Sequence, residues 1–385
     1  MKTSDFIIFI SIVLGVYLSV NYYIFARINQ ALPQISWVKT TFYILFGFLS
    51  SAYIIHVFLV RMYPSTICTI FSWTGSMWFS VMMYGFLAVL FIDLIRAVNH
   101  FIPLIPQSFY LNYEKTKLLT LISATSLILI TIIAGFINAA NPQLKTLNLK
   151  IDKATNINKL RIVAASDIHI GSIITRSRVE KLVESINELK PDIVLLPGDI
   201  LDESIEPVIK FKSGEPLKNI KSKYGVYAIT GNHEYIGGIH ESAPYLESLG
   251  IILLRDTTVL IDNSFHIVGR EDISGNRFSN IKRIPLTELI KNADLSKPLI
   301  LLDHQPFKLH EAQENNIDLQ LSGHTHHGQM FPANIVTNLM YELSWGYLKK
   351  GNTHYYVSSG YGTWGPPVRV GNRPELLLIN LEFGR

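Results

Sequence analysis

The chain has 385 residues, 48% of them hydrophobic and only 17% charged. A soluble domain averages about 25% charged residues, so these proportions exclude a wholly soluble chain, and with it disorder and a collagen-like repeat. The single cysteine, Cys68, excludes an internal disulfide. The formal charge of +4 is unevenly placed. Residues 1–137 hold ten charged side chains (Lys2, Asp5, Arg27, Lys39, Arg61, Asp93, Arg96, Glu114, Lys115 and Lys117), seven basic and three acidic. Taken from totals of 34 basic and 30 acidic groups, that leaves 27 of each sign in residues 138–385. The basic excess lies in the first segment and gives the second no nucleic-acid footprint.

Four apolar runs without Asp, Glu, Lys or Arg fill the first segment, at residues 6–25, 41–60, 70–92 and 118–137. Each approaches the roughly 20 residues that carry a helix across a ~30 Å hydrocarbon core. The length of the first run and its lack of a small-residue cleavage site favour a retained helix over a signal peptide. Tyr22, Tyr23, Trp37 and Trp73 near the run ends fit an interfacial aromatic belt. The loops after the first and third runs hold Arg27, Lys39, Arg96, Lys115 and Lys117, against Lys2 and Arg61 on the other side. The positive-inside rule then predicts a multi-pass protein of the cell membrane with its catalytic domain outside the cytoplasm, although Lys145, Lys150 and Lys153 pull the other way. His56 and Asp93 are ionisable groups within or beside the spans. Asp93 lies three residues from Arg96, a spacing that pairs them on one helix face and argues against a proton relay.

After Asn141-Pro142 the texture changes to alternating strand and helix, an α/β pattern. Residues 160–166 form a β-rich run, and 176–189 place Val179, Leu182, Val183, Ile186 and Leu189 at helical spacing behind a Thr175 N-cap. Further strands are predicted at 193–196, 226–230, 251–254, 259–261, 266–268, 299–302, 319–321, 355–358 and 376–381, with helices at 243–249, 286–292 and 307–315. The organisation expected is a four-span membrane region over 1–140 and a single domain over 141–385.

Five strand runs end in residues that can hold a metal. They lead into Asp167-Ile168-His169, Asp199 with Asp202 behind it, Asn232-His233-Glu234, His304, and His324-Thr325-His326-His327. In α/β sheets, ligands gather beyond the carboxyl ends of strands, so separate segments converge there. Any one cluster is a common accident, since a Gly-Asp after a strand is usually a turn. Five in succession are not. Imidazole and carboxylate donors without thiolates suit Mn, Fe or Zn and argue against a structural zinc knuckle.

These blocks resemble the calcineurin-like metallophosphoesterase superfamily, over about residues 145–385. The stretches LLDHQP, LQLSGHTHHGQMFP and YVSSGYGTWGPPVRVGNRPEL are similar to its membrane-attached branch of predicted phosphohydrolases, which includes relatives of bacterial UDP-diacylglucosamine diphosphatases. The resemblance implies a four-layer α/β/β/α sandwich behind four transmembrane helices. It implies two divalent ions, one held by Asp167, His169, Asp199 and His326, the other by Asp199, Asn232, His304 and His324, with Asp199 bridging. Hydroxide generated between them would attack a phosphomonoester, phosphodiester or pyrophosphate. His233 would protonate the leaving group, with Glu234 a candidate to orient it. Asp202 and His327 are expected behind the ligands, and Arg270 and Arg369 either reach a substrate phosphate or form ion pairs.

The substrate expected is a phosphorylated small molecule or lipid, with the membrane as second partner and no nucleic acid. A non-catalytic membrane sensor of a phosphorylated ligand is the alternative, disfavoured by His233, which a binding-only site does not need. A transporter is disfavoured by the scarcity of polar groups in the spans. Residues 360–365 match G-x-G-x-x-G, but Pro366-Pro367 prevents the helix a dinucleotide site requires.

Overall fold

The four apolar runs become four helices long and apolar enough to cross a membrane: Thr3–Ala31, Ser36–Met62, Thr66–Phe101 and Tyr113–Ala140. The computed structural model describes residues 3–62, 65–202 and 204–384, and the chain divides into two units, Met1–Phe136 and Ile137–Arg385. Lys2 and the side chains of Asp5 and Arg61, which entered the charge count, lie outside the described residues. The third helix runs past its apolar stretch to take in Asp93 and Arg96. Several polar groups in this unit pair with one another. Asn21 accepts from Trp78 Nε1 at 2.9 Å and donates to Tyr17 O at 2.8 Å. The Asp93–Arg96 pair forms as its spacing predicts, at 3.2 Å, and Asp93 also takes Arg27 at 2.7 Å and the Tyr23 hydroxyl at 2.6 Å. The ring of His56 is buried against Tyr53.

The second unit contains two six-stranded sheets. The strands are β1 (Gln143–Ala154), β2 (Lys159–Ala164), β3 (Ile193–Pro197), β4 (Val226–Ile229), β5 (Ile252–Leu253), β6 (Thr257–Ile261), β7 (Phe265–Gly269), β8 (Leu299–Leu302), β9 (Leu319–Ser322), β10 (Gly346–Lys350), β11 (Thr353–Val357) and β12 (Glu375–Gly384). One sheet has the order β1-β12-β2-β3-β4-β5, the other β10-β11-β9-β8-β7-β6. Within them β2, β3, β4 and β5 are parallel, and so are β7, β8, β9 and β11.

Alternation along the strands builds the core. Ile162, Leu195, Ile229 and Ile379 of the first sheet share a buried cluster with Ile267, Ile300, Leu302 and Leu321 of the second. The opposite face of the second sheet, through Val268, Leu299, Leu301 and Tyr355, buries Leu286, Ile290, Leu309 and Ala312 from its helical segments. Helix Arg176–Glu188 sits in the β2–β3 crossover and buries Val179, Leu182, Val183 and Ile186. The result is the expected sandwich. Thr175 occupies the N-cap position, but its side chain makes no cap bond.

Two strands escape the sequence patterns, β1 and β10. Both are edges, and both carry lysines, as edges do to discourage pairing with other chains. Lys145, Lys150 and Lys153 therefore belong to a folded strand rather than a membrane-flanking loop.

Candidate metal centre

Each motif lies just past the carboxyl end of a parallel strand. Asp167 and His169 follow β2, Asp199 follows β3, and Asn232 and His233 follow β4. His304 follows β8, and His324 and His326 follow β9. Three overlapping groups result: Asp167, His169 and His326; His169, Asp199 and His233; and Asp199, His304 and His324, each with donor atoms within 4.8 Å of one another. All seven ligands expected from sequence thus come together. Asn232 joins the third group through its Oδ1, 2.7 Å from His324 Nδ1.

The backbone that achieves this is unusual. Asp167, His169, Asp199, His324 and His326 all have positive φ, between 45° and 72°, in the left-handed region. Non-glycine residues there are disfavoured by about 1 kcal/mol or more each, and they persist where surrounding structure enforces them. Two glycines allow the close approach. A Cβ at Gly231 would fall 2.1 Å from Asp199 Oδ1, and one at Gly323 2.1 Å from Asp167 Oδ2.

Whether the donors suit a cation can be decided from who faces whom. His304 Nδ1 lies 2.8 Å from the carbonyl oxygen of Pro197, which only accepts, so the ring proton sits there. Nε2 of a neutral ring is then a lone pair, and it faces Asp199 Oδ2 at 3.1 Å. His169 and His326 bring Nε2 to Nε2 at 3.0 Å, a contact bridged by a single ring proton that a metal ion would have to displace. Asp167 Oδ2 is buried with no hydrogen-bond partner among the described residues. Acceptors aimed at acceptors in a buried site call for a positive charge between them.

Proton equilibria express the same demand. Burial alone would raise the Asp199 carboxyl, but His304, His233 and His169 hold it well below its ordinary value. Burial lowers His304, yet Asp199 and Asp167 outweigh it and lift the ring well above the ordinary histidine value. Burial and the neighbouring His304 push His324 down to about 3, leaving a neutral donor. The donor set fits divalent cations.

Behind the ligands, two carboxylates have distinct tasks. Asp202 Oδ1 lies 3.1 Å from His233 Nδ1 and 3.6 Å from His169 Nδ1, so it faces the inner edges of both rings. Glu234, expected to orient His233, instead accepts from the backbone N–H groups of Asp199 (3.1 Å), Ile200 (2.7 Å), Leu201 (2.9 Å) and Gly231 (2.7 Å). It fixes the loop that carries Asp199, a position its helical first turn opposite that loop dictates. The carboxylate that reaches the His233 ring is Asp202, three residues beyond Asp199 in the same loop.

Neither candidate arginine is available to a substrate. Arg270 pairs with Asp303 at 3.2 Å and Glu311 at 2.8 Å. Arg369 is fully buried and donates to the carbonyls of His326, Ser359 and Gly362. Its Nη2 also lies 3.0 Å from His326 Nδ1, which therefore accepts, placing that ring's proton on Nε2. A cation bound at His326 Nε2 requires this proton to move to Nδ1, leaving Arg369 to its carbonyl acceptors. His327 turns away, with Nδ1 2.9 Å from Ser344 Oγ. No motif in the sequence signalled the link from Arg369 to His326, because it joins loops 43 residues apart.

The chain is similar to known proteins over its second unit and beyond. The calcineurin-like phosphoesterase family profile matches residues 160–328. An uncharacterized metallophosphoesterase of Aquifex aeolicus is 33% identical over 235 residues, 60% of this chain and 88% of that protein. Another, from Helicobacter pylori, is 36% identical over 244 residues, 63% of this chain; the match spans 64% of the relative's own length. A zebrafish (Danio rerio) transmembrane protein with metallophosphoesterase domain is 28% identical over 381 residues, 93% of this chain and 83% of that protein.

Proposed function

Since the chain belongs to the calcineurin-like phosphoesterases, we propose that it is a membrane-anchored, metal-dependent hydrolase of a phosphomonoester, phosphodiester or pyrophosphate bond. The observation that carries this reading is the buried convergence of Asp, His and Asn donor atoms around Asp199, a donor set that fits divalent cations. We assign Asp167, His169, Asp199 and His326 to one ion and Asp199, Asn232, His304 and His324 to a second, the Asp199 carboxylate serving both. Two divalent ions so placed supply Lewis-acid polarisation of a phosphoryl group and a water acidic enough to ionise near neutral pH.

The chain's own contribution is orientation and proton delivery. Asp202 holds Nδ1 of His233, which directs the opposite ring nitrogen, Nε2, outward as the donor to the leaving oxygen. Because Asp202 sits between two imidazoles, its carboxyl is held well below its ordinary value: burial opposes ionisation, and His169 and His233 overcome it. A permanent anion at that position favours the protonated form of His233, the form a general acid needs.

The four long helices place the protein in a membrane. The division we adopt is a four-span region over 1–140 and a phosphoesterase domain over 141–385, the latter outside the cytoplasm. Proximity to lipid makes a lipid-linked phosphate the substrate class to try first, and manganese the first metal. The test is purified full-length protein in detergent, supplied with Mn²⁺ and an aryl phosphate monoester or diester. The reading requires metal-dependent turnover that Asp199→Asn removes together with bound metal. An Asp199→Asn protein that kept full activity would refute it.

A further inference from the structure

The helix that follows the last histidine motif is built inside out. Ala333–Met340 places Ile335, Val336, Leu339 and Met340 on one face, at spacings of one and four residues. A surface helix in water turns such a face to the core. Here Leu339 is 84% exposed, and Ile335, Val336 and Met340 are each more than half exposed. The polar face is the one tied to the protein: Asn338 accepts from Ser344 Oγ at 2.5 Å, and Ser344 in turn meets His327. Phe331 and Trp364 are also more than half exposed, and the Trp364 ring lies 6.5 Å from that of His233. Exposed apolar side chains gathered on one helix face mark a contact with something apolar.

What covers it is indicated by a chain of hydrogen bonds within the second unit. The last turn of helix Tyr113–Ala140, where the fourth apolar span ends, is held by Asn138 Nδ2 donating to the carbonyls of Arg369 at 2.9 Å and Asn372 at 2.6 Å. Arg178 adds a bond to the Ala139 carbonyl at 2.8 Å. The residue between those two acceptors' ends, Val370, pairs with Gln329 and Phe331 through bonds of 3.0 and 2.8 Å. Phe331 leads directly into the apolar helix. One short segment, 369–372, therefore joins the point where the chain leaves the bilayer to the exposed apolar helix and, through Arg369, to His326.

We propose that the apolar face of helix Ala333–Met340, together with Phe331 and Trp364, docks into the bilayer that the chain's own four long helices occupy. Docking there holds the mouth of the metal centre at the lipid surface, where a membrane-borne phosphate enters without leaving the bilayer. Short helices with aromatic and aliphatic residues on one face bind in this way, buried about 5–10 Å into the boundary between headgroups and acyl chains. The inference concerns the surface and does not depend on turnover.

The test uses the full chain with its single cysteine removed (Cys68→Ser), reconstituted at one chain per nanodisc of phosphatidylcholine and phosphatidylglycerol. Cysteines introduced singly at Leu339 and Ile335 carry an environment-sensitive nitrobenzoxadiazole label, with Glu314→Cys as an exposed control. The expected result is blue-shifted emission at Leu339 and Ile335, quenching by lipid bearing a doxyl group, and at least about threefold less quenching by iodide than at the control, as a group at that depth requires. Iodide quenching equal to the control, without an effect of doxyl lipid, overturns the proposal. So does a blue shift without doxyl quenching, which would place a protein surface, such as a second copy, on the helix. Loss of catalysis in every variant would count against the proposed function and leave this reading to stand or fall on the label alone.

Discussion

Asp93 among the long helices and Asp199 at the strand ends are both carboxylates set in low-dielectric surroundings, and the chain treats them in opposite ways. Asp93 is surrounded by Arg27, Arg96 and the Tyr23 hydroxyl, so its charge is answered from within the first unit. Asp199 faces His304, whose proton is already committed to Pro197, and His169 lies beyond at 3.8 Å. Asp93 is answered by fixed cations, whereas Asp199 takes the His233 backbone N–H at 2.8 Å and otherwise faces imidazoles that can hold a metal ion. An ionisable residue beside a membrane span is a functional candidate by default, yet here it is the satisfied group, and the unsatisfied set marks the site.

That contrast can be broken most forcefully at Asp199. Asp199→Asn removes the carboxylate shared by all the proposed ligands of both ions, and turnover should fall by about 10³-fold or more, equivalent to about 4 kcal/mol of transition-state stabilisation. Metal content measured by atomic absorption should fall with it. His233→Ala should lower kcat by about 10²-fold, within the range of a lost general acid, with metal retained. Asp202→Asn should lower it by about tenfold and shift the alkaline limb of the pH–rate profile to lower pH, because the neutral amide no longer favours protonated His233.

Stability measurements sharpen the same comparison at smaller scale. Glu234→Gln replaces an acceptor of four backbone N–H groups by one that also brings its own donors, and should destabilise the protein by about 2 kcal/mol in thermal melts. Glu375 provides a pH test away from the metal centre. Burial raises its carboxyl above the ordinary value of 4.5, despite bonds from Ser359, Trp345 and Tyr356. A carboxyl raised on folding binds its proton longer in the native than in the unfolded chain. Stability from this group is therefore full below 4.5 and falls as pH rises from there through the native value. Melting temperatures of wild type and Glu375→Gln across that window should differ in slope, the variant lacking this decline. The smallest effect is expected at Asp93→Asn, which should leave turnover within about twofold, or about 0.4 kcal/mol, since its partners Arg27, Arg96 and Tyr23 include none of the proposed metal ligands.

The sequence patterns carried the architecture where periodicity was strong. Runs such as 193–196 and 299–302 were legible because both faces of those strands are buried, giving unbroken apolar stretches. β1 was not, because Lys145 and Lys153 share the half-buried face with Leu147, Leu149 and Ile151 and dilute the signal, and helix Ala333–Met340 was not, because its apolar face turns outward. The proposed ligand set was visible as residue types after strands. The tasks of Asp202 and Glu234 were not, since both follow motifs by a few residues and only the left-handed turns at Asp199 and His169 determine which carboxylate meets which ring. Arg369 was misplaced for a related reason: a buried guanidinium satisfied by carbonyl oxygens leaves no charged partner in the sequence to find.

The most direct test is anomalous diffraction at the manganese absorption edge from crystals of the full-length protein grown with Mn²⁺. Two peaks are predicted, one on either side of the Asp199 carboxylate, the first reached by His169 and His326 and the second by His304 and His324. Manganese peaks elsewhere, or none within coordination distance of Asp199 at full metal loading, would contradict it.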